Sequence, residues 1–495
     1  MNLPVRPFPL LLAIALSSCQ KSEQNSERLA QTHCGNCHEF TPPELLDKTT
    51  WEKSVLPEMA FRMGLSSSLM AKKPMEELKA ILPLIPASPA LSENDFQRIK
   101  EYFLAAAPDS LAKPVKDKPS PLNQFEAVPV ALTSGMPAVT LINTGPDGRT
   151  FIGGRDNSLL ALKRDFSVGA KYLLDSPPSA LLANGGNVTC LEMGMMDPND
   201  KTNGKLIDLS LETRNSITLI DSLRRPAYFQ RADLNGDGLD DFVICEFGNY
   251  TGRLSVFENT KGKKYRAHVV DASPGARKVI IQDFNGDGKK DVLALMTQAD
   301  ERIILFINDG NFHFTAKPIL RFPAVYGSSY FEIHDFNQDG FFDILYTNGD
   351  NSDYSTILKP FHGVRIFLND GRNQFKESWF YPMYGASWAR ACDFDQDGDL
   401  DIAAISFFPD FKLAANEGFI YFENRGGKFV PFTTPKSALG RWLVMDVADV
   451  DDDQDLDILL GALDFNPGVS ELFEQWKKQP VSLLVLKNNL KHKST

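Results

Sequence analysis

A nine-residue pattern, Asp-x-Asn/Asp-x-Asp-x-x-x-Asp, occurs five times at intervals of 50 to 58 residues. Its side chains are Asp233, Asn235, Asp237 and Asp241, then Asp283, Asn285, Asp287 and Asp291, then Asp335, Asn337, Asp339 and Asp343. The last two copies are Asp393, Asp395, Asp397 and Asp401, and Asp449, Asp451, Asp453 and Asp457. Self-similarity at such a period means stacked units, each burying its apolar face against the next. Every copy lies between short apolar runs, as residues 227–232 and 242–246 do around the first. Two more strand-like runs follow, such as 254–257 and 266–270, and Asn308-Asp309-Gly310 and Asn369-Asp370-Gly371 supply hairpin turns. Four strands in a unit of about 50 residues make one blade of a β-propeller.

Two weaker units precede the five. Residues 139–152 keep the hairpin without the Asp ladder, and residues 188–200 keep a fragment of it, which brings the expectation to seven blades. The last unit stops after its third strand, Leu483 to Leu486. Asn123-Gln124-Phe125-Glu126 echoes the fourth-strand sequence Asn373-Gln374-Phe375-Lys376. The strand from Phe125 to Leu132 is therefore expected to complete the last blade, which removes an open sheet edge.

Oxygen ligands at alternate positions, with glycine permitting a tight turn, wrap a hard cation. Four clustered carboxylates would otherwise repel one another. The motifs and their period resemble the FG-GAP or VCBS repeats of integrin-type propellers, from Ala227 to about Asn489. The resemblance implies calcium held by the side chains of positions one, three, five and nine and by the backbone carbonyl of position seven. About four to five structural Ca²⁺ ions are expected. Glycine at position six is replaced by Gln454 in the last loop, which makes that site the least regular.

A different chemistry stands near the N-terminus. Cys34-Gly35-Asn36-Cys37-His38 is the spacing at which two thiols take the two vinyl groups of one porphyrin and the adjoining imidazole takes the iron. One covalent haem c is therefore expected. Residues 27–107 read as a small helical module: a helix into the motif, a second capped at Thr49-Thr50-Trp51-Glu52 and running through Met63, and a last one capped at Ser92. The order of elements resembles a small mono-haem cytochrome c. Its sixth ligand would be one of Met59, Met63, Met70 and Met75. The segment from Leu56 to Gly64 resembles the Leu-Pro-x-Met-x-x-Arg-Leu-Gly stretch of cytochromes fused to propellers, which favours Met59.

Arg6 and the apolar run Leu10 to Leu16 read as an export signal too short to remain as a transmembrane helix. Leu16-Ser17-Ser18-Cys19 resembles the lipobox of bacterial lipoproteins, which implies lipid attachment at Cys19. The expected organisation is a signal over 1–18, a tether over 19–26, a helical haem domain over 27–107, a Pro/Lys-rich linker over 108–122 and a seven-bladed propeller over 123–490. Cys190, Cys245 and Cys392 are scattered singly and read as apolar thiols.

The formal net charge of −12 argues against a nucleic-acid partner. The combined expectation is an exported, lipid-anchored c-type cytochrome carrying out electron transfer, facing the periplasm or cell surface. Its partners would be a redox protein, the membrane through the anchor, and a glycan or small molecule at the propeller channel. A haem-coupled propeller dehydrogenase and an adhesion or glycan-binding propeller are the alternatives. Residues three before each first Asp (Gln230, Ile280, Glu332, Arg390, Asp446) and five before (Tyr228, Lys278, Tyr330, Trp388, Val444) belong to inner strands facing the channel. Inter-blade packing and hydrogen bonding is the expected role of this set, with ligand binding the alternative.

Overall fold

The strand that follows each Asp loop, the second of its blade, is apolar almost without interruption, as in Asp291–Met296, and every residue of that strand is buried in the five blades that carry the loops. Such a run has neighbours on both faces. The computed structural model, which describes residues 25–65, 69–70, 73–352 and 355–490, shows those neighbours. The chain forms two compact units: a mainly helical one that runs to Leu111 and also takes in Pro323–Val325, and a β one made of Ala112–Phe322 and the residues from Tyr326 on.

The β unit contains seven sheets of antiparallel strands in chain order, apart from a closing strand in the last and one parallel edge pairing in the sixth. Blade 1 spans 139–173, blade 2 178–223, blade 3 226–271, blade 4 276–321, blade 5 328–382, blade 6 386–433 and blade 7 442–488. Between each pair of adjacent blades, blades 7 and 1 included, lies its own apolar cluster. Strand period decides which residue joins which cluster. In blade 4, Val292, Ala294 and Met296 pack with blade 3, while Leu293 and Leu295 pack with blade 5. Outer strands such as Tyr265–Asp271 are largely exposed or half-buried.

Ring closure follows the sequence expectation. Phe125–Val130 pairs antiparallel with Leu483–Asn488, with Phe125 opposite Asn488, so blade 7 takes its outer strand from the start of the β unit. The strand ends at Val130, two residues short of the expected Leu132. The linker expectation needs a larger correction. Ser120 and Pro121 pair in parallel with Phe432 and Thr433, adding a fifth strand to blade 6. Lys116 joins Glu417 at 2.6 Å, and Tyr381 donates to the Asp117 carbonyl. The last part of the linker is thus bound to the propeller.

A register shift recurs in the pairing of the first and second strands of all seven blades, at the residue six before the Asp loop where a loop exists. The bulged residues are Thr140, Ser179, Ala227, Arg277, Ser329, Ser387 and Leu443. A bulge sharpens twist and re-aims one side chain.

The helical unit comprises α1 over 25–34, α2 over Leu56–Arg62, α3 over Met75–Ile81 and α4 over Glu93–Ala106. Helical turns from Lys48, including a π stretch Trp51–Val55, lead into α2. The cap of this segment is Asp47, whose carboxylate accepts from Thr50 N at 2.8 Å, and not the Thr49-Thr50 pair. Ser92 caps α4 as expected, accepting from Asp95 N. Trp51 and Phe103 pack at 4.4 Å, and the Trp51 indole donates to the Pro43 carbonyl.

Phe125 is buried and meets Tyr421 at 5.3 Å and Phe394 at 5.9 Å, both edge-on. Phe125→Ala leaves a cavity where the ring closes, and should cost about 3–5 kcal/mol in urea unfolding of the propeller. A loss under about 1 kcal/mol would show that closure does not depend on this strand's packing.

Candidate functional site

In all five Asp loops the position-one carboxylate accepts from the backbone of its own turn. The position-six N–H reaches it at 2.9 Å in the first two loops, 2.8 Å in the third, 3.1 Å in the fourth and 3.0 Å in the last. Positions four and six both have positive φ throughout. Glycine allows this at Gly238, Gly288, Gly340 and Gly398. Gln454 adopts the same conformation with φ 74°, so the irregular last loop keeps the geometry at some backbone cost.

Position nine is fully buried in every loop. One carboxylate oxygen accepts from the position-two N–H, and the other accepts from the N–H of an asparagine ending the third strand. Those asparagines are Asn259, Asn308, Asn369, Asn424 and Asn488, with N···O distances of 2.8 to 2.9 Å. Each asparagine side chain in turn donates to the position-eight carbonyl. Sequence reasoning gave Asn308 and Asn369 a turn role and missed this clamp. The signal was present as an asparagine closing each third strand. Its separation from position nine varies from 17 to 31 residues, so periodicity conceals it.

The structure brings positions one, three and five together. In blades 6 and 7 the carboxylates of Asp393, Asp395 and Asp397, and of Asp449, Asp451 and Asp453, have oxygens within 4.8 Å of one another. In blades 3 to 5 position three is Asn235, Asn285 or Asn337, whose amide donates to the position-five carboxylate. Position seven in the last two loops is itself an aspartate, Asp399 or Asp455. Asp455 is 1% exposed, with its carboxylate crowded against that of Asp453. Burial first, and then Asp453, pushes its carboxyl up to about 7. Burial likewise raises Asp401 to about 7, and Asp395 and Asp457 to about 6. Clustered, under-solvated carboxylates with spare lone pairs suit a hard divalent cation.

The inner-strand set has mainly the structural role. Gln230 accepts from Ile281 N, Glu332 from Ala391 N and Asp446 from Thr144 N, each reaching the next blade. Ile280 takes no part in these links, and Val444 joins the apolar cluster between blades 7 and 1. Glu332 is the hub. It lies 3.1 Å from Arg390, 3.8 Å from Lys278 and 3.1 Å from His334, and accepts from Tyr330 OH at 3.0 Å. Burial alone would raise its carboxyl, but Arg390, His334 and Lys278 hold it down at about 2. Lys278, over the Tyr330 ring at 3.5 Å, is pushed by burial down to about 7.

In the helical unit, α1 ends at Cys34, and Cys37 and His38 follow within the next turn. Cys34 is half-buried, Cys37 exposed, and both are free thiols. Burial and the neighbouring Cys37 raise the Cys34 thiol to about 11. The His38 Nδ1 lies 2.8 Å from the Glu39 carbonyl, which fixes the proton on Nδ1 and leaves Nε2 with its lone pair. Met59 on α2 and Met63 at its end are half-buried, whereas Met70 and Met75 are exposed. Cys190 and Cys245 are buried thiols as expected, and Cys392 is half-buried. Cys19 lies outside the described residues, as does the export signal. Among the described residues no helix is long and apolar enough to cross a membrane.

A family model described as FG-GAP-like repeat matches residues 233–294 and 283–346, across the loops of blades 3 to 5. No curated protein matches the chain. Among solved structures, the β-propeller domain of Myceliophteria thermophila Cps50 (Swd1) is 11% identical with a TM-score of 0.45, over 74% of this chain and all of that one. The N-terminal domain of Nup159 is 11% identical, TM-score 0.43, over 76% of this chain and 99% of that one. BBS1N, in complex with ARL6DN, is 9% identical, TM-score 0.44, over 74% of this chain and 98% of that one.

Two outcomes are expected. Glu332→Gln removes the anion that Lys278 and Arg390 share, leaving Arg390 only Asp446 at 3.9 Å, and should cost about 3–5 kcal/mol in denaturant unfolding. A neutral result would show that water meets both cations. The second concerns pH in chelator. The raised aspartates bind protons more tightly when folded than when unfolded, where a carboxyl titrates near 4. Stability is therefore full below about pH 4 and falls as pH rises through 6 to 7. If the loops hold calcium, saturating calcium should favour the ionised form and abolish that fall. A melting temperature that ignores both EDTA and pH between 5 and 8 would reduce the loops to acidic turns.

Proposed function

We propose that this seven-bladed propeller with FG-GAP repeats is a binding platform stiffened by calcium, joined to a c-type cytochrome unit that carries out electron transfer. The observation that carries the haem reading is the Cys34-Gly35-Asn36-Cys37-His38 turn with the His38 Nδ1 committed to a carbonyl. Both thiols are free, Cys34 at the end of α1 and Cys37 in the turn that follows it, and the imidazole keeps Nε2 for a metal. A haem held there would supply one-electron chemistry at its iron. Cys34 and Cys37 would hold it covalently, His38 would ligate it on one side, and Met59 on the other. Export past the cytoplasmic membrane, with lipid attachment at Cys19, accords with covalent haem attachment and completes the reading. A redox protein is the proposed partner of the helical unit.

For the loops, the clustered carboxylates of Asp393, Asp395 and Asp397 and of Asp449, Asp451 and Asp453, the last crowded by buried Asp455, support a cation. The residues that would hold it are those of positions one, three, five and nine in each loop, with Asp455 adding to the field in the last. Position nine also fixes two strands to the turn, so an ion bound there stiffens the blade.

The haem reading is tested on protein from a host with cytochrome c maturation. Haem should survive acid-acetone extraction and give a pyridine haemochrome. Cys34→Ala and Cys37→Ala should each weaken attachment, and His38→Ala should abolish the low-spin spectrum while the propeller still melts at its usual temperature. Haem wholly extractable from the unaltered chain would overturn the reading. Met59→Ala should remove the methionine-to-iron absorption of the ferric form. If Met63→Ala does so and Met59→Ala does not, the ligand lies one turn further along.

A further inference from the structure

Position four of each Asp loop has left-handed backbone, and its side chain divides the five loops into two kinds. Blades 3 and 4 place Gly236 and Gly286 there, with φ 77° and 75°. Blades 5, 6 and 7 place Gln338, Gln396 and Asp452, with φ 57°, 59° and 63°. A Cβ on Gly236 or Gly286 would meet nothing within 4 Å, so space does not decide between the two kinds. A side chain in this backbone state carries a conformational cost that glycine avoids. All three non-glycine residues are exposed, so burial does not offset it.

Each of the three instead reaches the following blade, in the same direction around the ring. The Gln338 amide donates to the Gly398 carbonyl of the blade 6 loop at 3.3 Å. The Gln396 amide donates to the Gln454 carbonyl of the blade 7 loop at 3.0 Å. Asp452 pairs with Arg164, in the turn between the third and fourth strands of blade 1, which has no Asp ladder. Gly398 and Gln454 both stand at position six. Their N–H groups donate to the position-one carboxylates of Asp393 and Asp449, at 3.1 Å and 3.0 Å. A hydrogen-bonded chain therefore runs from position four of one loop, through the position-six residue of the next, to that loop's position-one carboxylate.

Position four stands between positions three and five, two of those that would hold calcium. Gln338 lies between Asn337 and Asp339, and Gln396 between Asp395 and Asp397. Ordering of one loop fixes its position-four side chain, and that side chain fixes position six of the next. Sites that share an ordering cost are coupled, because filling the first leaves less for the second to supply. In blades 3 and 4 no side chain leaves position four. Asn308 joins blade 4 to the blade 3 loop, but from its third strand and at position two.

We infer that the loops of blades 5, 6 and 7 take up calcium as a coupled series, with Gln338 and Gln396 as couplers and the Arg164–Asp452 pair as its end. The inference rests on the reading of the loops as calcium sites, to which their clustered carboxylates are suited.

The test follows terbium, a luminescent substitute for calcium, in the full chain stripped of metal. Tyr421 donates to Asp401 of the blade 6 loop at 2.7 Å, which places a sensitising ring beside that loop. The share of the signal lost in Tyr421→Phe reports the blade 6 loop alone. Asp335→Ala disables the blade 5 loop and should weaken terbium binding in blade 6 about threefold, the effect of one net hydrogen bond. Asp233→Ala, in blade 3, should leave blade 6 unchanged. Gln338→Gly supplies the glycine of blades 3 and 4, so it should fold with its melting temperature kept. It should weaken blade 6 by about as much as Asp335→Ala does, and adding Asp335→Ala to it should weaken blade 6 no further. Asn311→Gly relieves left-handed backbone of φ 51° outside the Asp loops and should change nothing. The coupling is overturned if Asp335→Ala leaves blade 6 unchanged, if it acts equally with and without Gln338, or if Asp233→Ala acts as strongly. Saturable binding in those cases still leaves the loops as calcium sites. Absence of saturable terbium signal, with no calcium binding in isothermal titration, overturns the calcium reading and the series with it.

Discussion

The buried position-nine aspartate is the joint on which each loop-bearing blade depends. It begins the second strand, and its two oxygens bind the loop behind it and the asparagine ending the third strand. One carboxylate therefore fixes the turn, the register of two strands and the end of a third. Such a group is costly to bury alone, and two charge-assisted bonds offset that cost. The clamp also reaches between blades. Asn308 donates to Leu234 O of the blade before it, and Asn488 donates to Phe394 O. Gln124, on the strand that closes the ring, donates to the same Phe394 carbonyl. Loop geometry and ring closure are thus parts of one polar network.

Apolar packing supplies the complementary constraint. Because alternate residues of a blade face opposite neighbours, no blade has a core of its own. Each interface cluster needs both partners, and the ring has no end blade to cap. This explains why blades 1 and 2, which lack the full Asp ladder, still fit. They bury Phe151, Leu159, Val188 and Ile207 as fully as the loop-bearing blades bury theirs. The ladder stiffens a blade, and the clusters make it one.

Much of this was legible in the sequence because it depends on local pattern. The five loops, the blade count and the closing strand at Phe125 follow from spacing, turn residues and an echoed four-residue string. What escaped depends on partners far apart in the chain. The asparagine clamp sits at a variable separation from position nine. The bulge at Arg277 leaves no compositional mark, since its counterparts are Thr, Ser, Ala and Leu. The pairing of Ser120 and Pro121 with blade 6 was hidden by a Pro/Lys-rich stretch that reads as a tether. Asp47 was passed over as a cap because Thr49 and Thr50 follow it so closely, although only Asp47 has the extended backbone a cap needs. At the Cys34-to-His38 segment the sequence supplied the residues, and the structure added the His38 hydrogen bond that sets its tautomer.

The two ends of the propeller now have distinct physical characters. One end repeats: its turns, acids and left-handed backbone recur from blade to blade, as construction requires. The other end varies. Entry positions that are glycine in blades 4 to 6 become Arg225 in blade 3 and Arg441 in blade 7. Arg441 is buried and answers the loss of water in a different way, lying over Phe465 at 3.7 Å and Phe411 at 4.8 Å. Aromatic faces can serve a guanidinium in place of a carboxylate. Arg225 lies 5.1 Å over the Phe247 ring and donates to the Met196 and Gly248 carbonyls. Where repetition breaks, the same residue type meets unlike surroundings, with backbone carbonyls holding one guanidinium and aromatic rings the other.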